Sequence, residues 1–366
     1  MTGAPVVSVL MSVHNGRPFL REAIESILAQ TFTDLEFLIV NDGSTDGTEE
    51  IIRSYRDPRI RLIRHASRRG LTPSLNQGLR SAAGRYIARQ DSDDVSEPDR
   101  LARQVAYMEA NPDIGLLGTW YREIDENGSV LAEQRLPCAD TDLRWALLFY
   151  CPFIHSAAMF RSEVRAAAGL YDEAYVYAQD HDYWLRIAKR FALANLDEIL
   201  VNYRIHARSM TSTYGPRTRE EIRVPAAAVA DLLGWRETEE GPQGERFERL
   251  FALVYGPLDD LDPRTIGRLA TETRELHRAF SRANHLSRRE EKRHLREVAV
   301  RISRRCITSA HHRLARGDDV GARDLFRQAL AWHWPILVRS RSSMHLIRSL
   351  RAGLRARSRS HVARGG

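Results

Sequence analysis

The sequence predicts an α/β protein in which a mostly parallel, Rossmann-like β-sheet is flanked by helices and followed by a mainly α-helical C-terminal region. Three observations support this fold class. Over the first part of the chain, short apolar runs alternate with segments whose apolar residues recur at helical spacing. Beyond Ser212 the strand-like runs stop, and helical spacing dominates residues 217–354. Hydrophobic residues make up 43% of the chain, so large cores can form without disulfides or metals.

The alternation also predicts the order of the elements. Short apolar runs predict strands at 6–12, 35–40, 60–63, 86–88, 114–120, 157–160 and 199–203. Helical spacing predicts helices at 19–28, 46–55, 71–82, 98–110, 142–149 and 180–189. Asp125-Glu126-Asn127-Gly128 is typical of a hairpin turn. Alternation of this kind indicates a parallel sheet with helices on both faces.

The change of pattern after Ser212 predicts how the chain divides. We expect the boundary between residues 212 and 245, with a solvated loop at 236–246. This gives an α/β domain at 1–215, a helical domain at 216–338 and a basic tail at 339–366. The tail is either solvated and disordered or a short basic helix at a membrane surface.

Bulk properties narrow the class of protein. Three cysteines, odd in number and far apart, form neither a metal-ligand pattern nor a disulfide framework, so we expect a reducing, cytoplasmic compartment. We expect no signal peptide and no membrane-spanning segment. The net charge is +7, and the stretch from Ala331 onward holds eight Arg and no Asp or Glu. No recognition motif precedes this stretch, so nucleic acid is not an expected partner.

Two acidic segments follow predicted strands. Asp42 lies at the carboxyl end of a parallel strand, where it can accept hydrogen bonds from a base or ribose. A strand-to-helix turn with Asp46 as the N-cap explains the same segment. The carboxylates of Asp91-Ser92-Asp93-Asp94 repel one another, and a divalent cation such as Mg²⁺ or Mn²⁺ would relieve that repulsion. A solvated acidic loop is the alternative.

Three further positions carry titratable groups. Asp180 and Asp182 flank His181 at a predicted helix start, where one carboxylate can act as a general base or simply favour the helix N-terminus. His206, with Arg204 or Arg208, can meet phosphate or metal, or belong to a basic surface loop. A histidine at position 155 can line the same cleft or be a hydrogen-bonded interior residue.

Taken in their order along the chain, these segments resemble the family 2 glycosyltransferases, which have the GT-A fold. The resemblance covers about residues 6–212. The segments that carry it are Val7-Ser8-Val9-Leu10-Met11-Ser12-Val13-His14-Asn15-Gly16, Val40-Asn41-Asp42-Gly43-Ser44-Thr45-Asp46-Gly47-Thr48, and residues 84–94, 179–186 and 203–206. The resemblance implies that residues 1–215 are the catalytic domain.

The resemblance also implies roles at matching positions. Donor-binding positions are Ser12, His14, Asn15, Asp42, Asp91 and Arg204. Ser12 and His14 would contact the nucleobase, where Tyr is commoner than His at the second position. Asp93 is the expected metal ligand for Mn²⁺ or Mg²⁺, with His206 able to reach the metal or the diphosphate. Asp180 matches the catalytic base, although Gln179 stands where the family usually has Glu.

These roles predict an inverting, metal-dependent glycosyltransferase. It would move sugar from a nucleotide-diphosphate donor, expected to be a UDP-sugar, to a glycan or lipid-linked acceptor with a β-linkage, in cell-surface polysaccharide synthesis. The expected location is the cytoplasm, with the tail at 339–366 as the candidate for peripheral contact with the inner face of the membrane. The alternative is a non-catalytic nucleotide-sugar-binding protein on the same fold, which Gln179 would suit.

Overall fold

The computed structural model describes residues 3–210, 212, 218–235, 243–255, 258 and 261–333 of the chain. The predicted tail at 339–366, and residues 236–242 of the predicted loop, lie outside this part. None of the helices in the described part is both long enough and apolar enough to cross a bilayer.

Within the described residues, nine strands form one mixed β-sheet. They are β1 Val7–Val13, β2 Leu35–Asn41, β3 Ile60–Arg64, β4 Tyr86–Arg89, β5 Val95–Ser96, β6 Ile114–Ile124, β7 Val130–Gln134, β8 Met159–Arg161 and β9 Ala192–Arg204. The order is β3-β2-β1-β4-β8-β6-β9-β5, and β7 pairs with the outer part of β6. The β6–β7 hairpin confirms the predicted turn, with Gly128 in the left-handed region at φ 83°.

The sheet is parallel through β3, β2, β1 and β4, as predicted. Strand β8 then runs antiparallel to both β4 and β6, whereas β6 and β9 are again parallel to each other. An apolar run has the same composition in either direction, so the sequence could not reveal that β8 is reversed. The reversal matters for the site because it brings the residues before β8 beside the residues after β4.

Helices cover both faces of this sheet. On one face lie α1 Leu20–Leu28, α2 Thr48–Ser54 and α4 Arg100–Ala110. On the other lie α3 Leu71–Ser81, α5 Asp140–Leu147, α6 Val164–Ala168 and α7 Gln179–Ala188. Strand β1 alternates between them, since Val9 and Met11 pack with the first group and Leu10 with the second. The predicted two-sided α/β arrangement is confirmed.

Close packing of α3 on β1 depends on Gly78. A Cβ atom at this position would lie 2.1 Å from Leu10 Cδ1, which is far inside van der Waals contact. Glycine therefore lets α3 approach the strand. This approach fixes the N-terminal end of α3 near the carboxyl edge of the parallel strands.

The chain divides into two compact units between Pro225 and Ala226. The remaining helices are α8 Arg219–Leu233, α9 Gln243–Val254, α10 Pro263–Ala283, α11 Arg288–Ala315 and α12 Asp319–His333. The helical character predicted beyond Ser212 is confirmed for the described residues up to His333, and residues 334–354 lie outside them. The loop predicted at 236–246 is wrong at its end, because a helix begins at Gln243. The domain limits at 215 and 338 stay predictions.

Candidate active site

The loops that follow β1 and β2 are joined by hydrogen bonds, and we call residues 14–17 and 42–48 the loop pair. Asn15, which has a left-handed φ of 55°, donates its N–H to Ser44 Oγ at 3.0 Å. The side-chain oxygen of Asn15 accepts the N–H of Thr45 at 2.9 Å. Gly16 donates its N–H to a threonine hydroxyl of the second loop at 3.0 Å. The two loops therefore support each other as one element at the sheet edge.

Asp42 stands directly after β2 and is only 2% exposed. Its Oδ1 accepts the N–H of Arg69 at 2.8 Å and lies 2.8 Å from His65 Nδ1, while Oδ2 accepts the N–H of Gly70 at 2.8 Å. Burial raises the pKa of Asp42, but the bonds from His65, Arg69 and Gly70 outweigh it, so the pKa lies below its ordinary value. An ionised Asp42 thus fixes the turn that begins α3.

Ser12 and His14 lie at the carboxyl end of β1, close to Asp42. Ser12 is 8% exposed and pairs with Val40 of β2. His14 is partly exposed, and its Nδ1 donates to the main-chain oxygen of Asp42 at 2.8 Å. The structure therefore brings the predicted base-contacting residues to one edge of the sheet. Their roles in donor binding stay predictions.

The alternative explanation of this segment, with Asp46 as the N-cap of α2, is wrong in detail. The N-cap is Gly47, at φ 89° and without a side-chain bond. Asp46 instead accepts the N–H of Thr48 at 3.1 Å and the Thr48 hydroxyl at 2.6 Å, and it also accepts the N–H of Arg17 at 3.1 Å. Asp46 is therefore a further link between the two loops.

Asp91 follows β4 and is 28% exposed. Its Oδ1 accepts a hydrogen bond at 2.6 Å from Arg89, whose side chain is fully buried. Ser156 donates its hydroxyl to Asp91 Oδ2 at 3.0 Å and accepts the Asp91 N–H at 3.1 Å. Burial raises the pKa of Asp91, but the charges of Arg89 and Arg100 and the hydrogen bond from Ser156 act together against it, so the pKa lies below its ordinary value.

Asp94 is different, because it is 1% exposed and bonded within the protein. Its Oδ1 accepts the N–H of Arg204 at 2.8 Å, and its Oδ2 accepts the hydroxyl of Ser156. Burial, together with the charges of Asp93 and Asp91, holds the pKa of Asp94 well above its ordinary value. Asp94 is thus part of the interior on which the exposed carboxylates rest.

Asp93 and His206 form a contact pair across the site. Asp93 Oδ2 lies 2.9 Å from His206 Nε2, and the ring of Phe19 lies 4.7 Å from the imidazole ring. His206 Nδ1 accepts the N–H of Arg208 at 3.3 Å, so a neutral ring carries its proton on Nε2, facing Asp93. The two side chains are 29% and 7% exposed.

This pair fits one edge of an octahedral cation site. Bonds of about 2.1 Å at right angles place two ligand atoms about 3 Å apart, close to the distance between Asp93 Oδ2 and His206 Nε2. A cation at Nε2 would replace the proton there. Among the described residues, no three His, Cys, Asp or Glu side chains are grouped to hold a metal ion. Mg²⁺ is commonly held by one or two protein groups together with substrate phosphates and water, so the donor would have to complete the site.

Arg204, predicted to contact the donor, has its guanidinium buried against protein oxygens. The residue is 1% exposed. Its Nε donates to the main-chain oxygen of Asp93 at 2.9 Å, and its Nη1 donates to those of Asp125 and Glu126 at 3.1 and 3.2 Å. Its Nη2 donates to the carboxylate of Glu22. These bonds position Asp93, and the direct donor contact stays a prediction.

Asp180 lies in the first turn of α7. Its Oδ1 accepts the N–H of His181 at 2.7 Å, and the thiol of Cys151 lies 3.9 Å from Oδ2. Burial raises the pKa of Asp180 to about 7, and the charges of Asp91 and Glu221 also raise it. A carboxyl group with a pKa near neutrality is suited to accept a proton in a reaction.

His155 proves to be the interior histidine of the two alternatives. Arg89 donates its Nε–H to His155 Nε2 at 3.0 Å, and the hydroxyl of Tyr171 lies 3.1 Å from the same nitrogen. Burial, with the charge of Arg89, lowers the pKa of His155 to about 3. Because arginine can only donate, the neutral ring carries its proton on Nδ1, which faces Asp91 Oδ2 at 3.8 Å.

We call the second group of residues the acidic cluster: Asp91, Asp93, Asp94, Ser156, Asp180 and His206. Hydrogen bonds join five of these side chains in two sets, and the charge of Asp91 acts on Asp180. Sequence reasoning missed Ser156, which links two of the carboxylates. A signal for it would have required the pairing of β8 with β4.

Comparison with known proteins identifies the family to which the chain belongs. The profile of Glycosyl transferase family 2 matches residues 8–165. An uncharacterised glycosyltransferase of Haemophilus influenzae is 34% identical over 236 residues, which cover 61% of this chain and 72% of that protein. The O-antigen biosynthesis glycosyltransferase WbnJ of Escherichia coli is 34% identical over 213 residues, covering 56% of this chain and 81% of WbnJ.

Solved structures share the fold at low sequence identity. S. aureus TarS 1–349 in complex with UDP-GlcNAc has a TM-score of 0.55 and 14% identity, covering 90% of this chain and 91% of the 1–349 chain. The mannosyltransferase PcManGT from Pyrobaculum calidifontis, in complex with GDP-Man and Mn²⁺, has a TM-score of 0.50 and 19% identity. The match covers 92% of this chain and 88% of the PcManGT chain. Because relatives that are 34% identical match over 72% and 81% of their own length, this chain belongs to glycosyltransferase family 2.

Proposed function

We propose that this chain is an inverting, metal-dependent glycosyltransferase that moves sugar from a nucleotide diphosphate donor to a hydroxyl of a glycan or lipid-linked acceptor. The observation that carries the proposal is the half-buried carboxyl of Asp180 in the first turn of α7, whose pKa is raised to about 7. It lies close enough to Asp91 for the two charges to interact. A base and a candidate donor-binding carboxylate therefore share one site.

The mechanism is a single displacement in which Asp180 is the general base. Its carboxylate takes the proton of the acceptor hydroxyl while that oxygen bonds to the anomeric carbon of the sugar. The bond between this carbon and the diphosphate oxygen breaks, and the nucleoside diphosphate leaves with the electron pair. Attack from the opposite face inverts the configuration, so an α-linked donor gives a β-linkage. A base with a pKa near the working pH is effective in both accepting and later releasing the proton.

The remaining residues hold the donor. We assign binding of the nucleobase and ribose to the loop pair, which includes Asp42, and place Asp91 on the ribose side. Asp93 and His206 are the residues that would hold a divalent cation. When bound, that cation supplies positive charge that stabilises the departing diphosphate. Arg204 keeps the main chain of Asp93 in place through its bond at 2.9 Å.

The finer assignments draw on the relatives. UDP and UDP-GlcNAc in the TarS structures support a UDP-sugar as the donor of this chain. Because PcManGT is in complex with GDP-Man, GDP-sugars are also included in the donor screen. The name of WbnJ supports a role in cell-surface polysaccharide synthesis. Three free cysteines support a reducing, cytoplasmic location. In this proposal, residues 1–215 are the catalytic domain and 216–338 contribute to acceptor binding.

A donor screen tests the proposal. The purified chain is mixed with Mn²⁺ and each of a panel of UDP-, GDP- and dTDP-sugars, and thermal unfolding identifies the donor that raises the melting temperature. Transfer to glycan and lipid-linked acceptors, and hydrolysis of the donor, are then measured with and without excess EDTA. We expect transfer that EDTA stops.

The outcomes separate the candidate functions. Donor binding with neither transfer nor hydrolysis would favour the non-catalytic alternative and overturn the proposal. Full turnover in excess EDTA would remove the metal assignment alone. An α-linked product from an α-linked donor would remove the inverting mechanism.

A further inference from the structure

The segment that leads into the helix of Asp180 is fixed by main-chain hydrogen bonds, and we call residues 171–178 the base loop. On one side, α3 holds it. Thr72 donates its hydroxyl to the main-chain oxygen of Tyr175 at 2.8 Å. The amide of Asn76 donates to the main-chain oxygen of Tyr171 at 2.9 Å and accepts its N–H at 3.0 Å. Both α3 residues are almost fully buried.

On the other side, the base loop is held by one carboxylate from α8. Glu220 Oε2 accepts the N–H of Val176 at 3.0 Å, that of Tyr177 at 2.7 Å and that of Ala178 at 3.1 Å. Three successive N–H groups aimed at one anion form a backbone nest. Burial raises the pKa of Glu220, but these three bonds outweigh it, so its pKa lies below the ordinary value and the group is ionised.

The position of this nest connects it to the proposed chemistry. Ala178 is the residue immediately before α7, and Asp180 is in the first turn of that helix. A shift of residues 176–178 therefore moves the start of α7 and the Asp180 carboxyl with it. The same helix α8 places the guanidinium of Arg223 5.9 Å from the ring of Tyr175, on the same loop.

We propose that Glu220 is a positioning residue for the base, holding the base loop so that the Asp180 carboxyl meets the acceptor hydroxyl. The inference rests on the proposed function. Charge-assisted bonds are about twice as strong as neutral ones, so a single ionised carboxylate on three donors is an effective anchor. A displacement of a catalytic group by about 1 Å can lower a reaction rate by about 100-fold.

Removal of Glu220 should loosen the base loop without unfolding the protein. Val176 is 55% exposed, so water can reach this part of the loop and bond to N–H groups that lose the carboxylate. Thr72 and Asn76 still hold the other side. Greater access of water would also let the pKa of Asp180 fall from about 7 toward its ordinary value.

Hydrogen exchange tests the contact independently of activity. Peptides that span residues 171–178 are followed in the full-length wild type, Glu220→Ala, Glu220→Gln and Asp231→Asn. Asp231 is an exposed carboxylate on the same helix and serves as the matched control. In Glu220→Ala we expect faster exchange at residues 176–178. In Glu220→Gln the rate should be intermediate, because the amide oxygen still accepts hydrogen bonds. Asp231→Asn should exchange at the wild-type rate.

Kinetics then test the positioning role. In Glu220→Ala we expect kcat to fall about 10- to 100-fold while the donor KM changes less than about twofold, because the loop pair is untouched. The acid limb of the kcat profile should move to lower pH, and Glu220→Gln should recover part of kcat. A role in stability alone would not move the pH profile.

The failures are distinguishable. Unchanged exchange at 176–178 in Glu220→Ala, or an unchanged kcat in that variant, overturns the inference while leaving the proposed function intact. A wild-type chain that transfers no sugar from any donor overturns the proposed function and the role of Asp180 with it. In that case the exchange data still report whether Glu220 holds the loop.

Discussion

The loop pair and the acidic cluster lie at the same sheet edge but are built in opposite ways. In the loop pair, the bonded residues follow two neighbouring parallel strands and lie about 30 positions apart in the chain, as between Asn15 and Ser44 or Thr45. In the acidic cluster, the partners come from distant parts of the chain. Ser156 is 65 residues from Asp91, and His206 is 113 residues from Asp93.

The protein environment also shifts the pKa of Asp42 in the loop pair and that of Asp180 in the acidic cluster in opposite directions. Three hydrogen-bond donors surround Asp42 and lower its pKa, so its charge is stabilised by the fold itself. Asp180 accepts the N–H of His181, and the thiol of Cys151 lies 3.9 Å away, but burial raises its pKa to about 7. A charge that the fold stabilises suits binding, whereas a charge that the fold disfavours suits proton transfer. Replacing Asp42 and replacing Asp180 should therefore have opposite effects on stability.

Asp180→Asn should give the largest effect and separate activity from stability. Transfer should fall about 10²- to 10⁴-fold, since the base is lost. Below about pH 4, the Asp180 carboxyl is protonated in both the folded and the unfolded chain. Between about pH 4 and 7 only the unfolded chain releases the proton, so its raised pKa makes stability fall as pH rises. At pH 8 the variant should therefore be more stable than the wild type by about 1–4 kcal/mol.

Urea unfolding at two pH values checks this sign. The stability gain of Asp180→Asn should be present at pH 8 and vanish near pH 4, where the wild-type carboxyl is protonated as well. Asp182→Asn on the same helix is the control, and it should lower stability slightly because Asp182 bonds Arg186 at 2.7 Å. If Asp180→Asn were less stable than the wild type at pH 8, the contrast between the pKa shifts of Asp42 and Asp180 would be contradicted.

Asp42→Asn should have the next largest effect, and in the opposite direction on stability. An amide has one oxygen, so its NH₂ group must face one of the N–H donors of Arg69, Gly70 or His65. We expect the free energy of unfolding to fall by about 2–3 kcal/mol, since a buried donor is left unpaired. Donor affinity should weaken about 10-fold or more, because the turn before α3 shifts. Calorimetric titration with the donor measures this, with the exposed Glu50→Gln as control.

The same contrast explains how much the sequence could predict. Strands, helices and the turn residues of the loop pair follow from patterns within a few residues, so periodicity and turn chemistry predict them. The reversal of β8, the burial of the Arg204 guanidinium and the nest occupied by Glu220 depend on which distant segments meet. Arg204 and Glu22, for example, are 182 residues apart. Residue type alone could not distinguish a guanidinium that binds the donor phosphate from one that binds the main-chain oxygen of Asp93.

Ser156→Ala should give the smallest effect and sharpen the comparison most. The hydroxyl of Ser156 lies within hydrogen-bond distance of the carboxyl groups of both Asp91 and Asp94 and accepts the Asp91 N–H, so its loss disturbs the acidic cluster. We expect stability to fall by about 1–2 kcal/mol and transfer to fall about 10-fold. Binding of a free nucleoside diphosphate through the loop pair should change much less than transfer does.

The control for this substitution is Ser67→Ala, at an exposed position on the same unit. Nucleoside diphosphate affinity and transfer rate are measured together in the wild type and both variants. If Ser156→Ala weakened nucleoside diphosphate binding as strongly as it slowed transfer, the two regions would act as one site. A loss confined to transfer would instead show that they are separable, because the bonds of Ser156 within the described part of the chain go to Asp91 and Asp94.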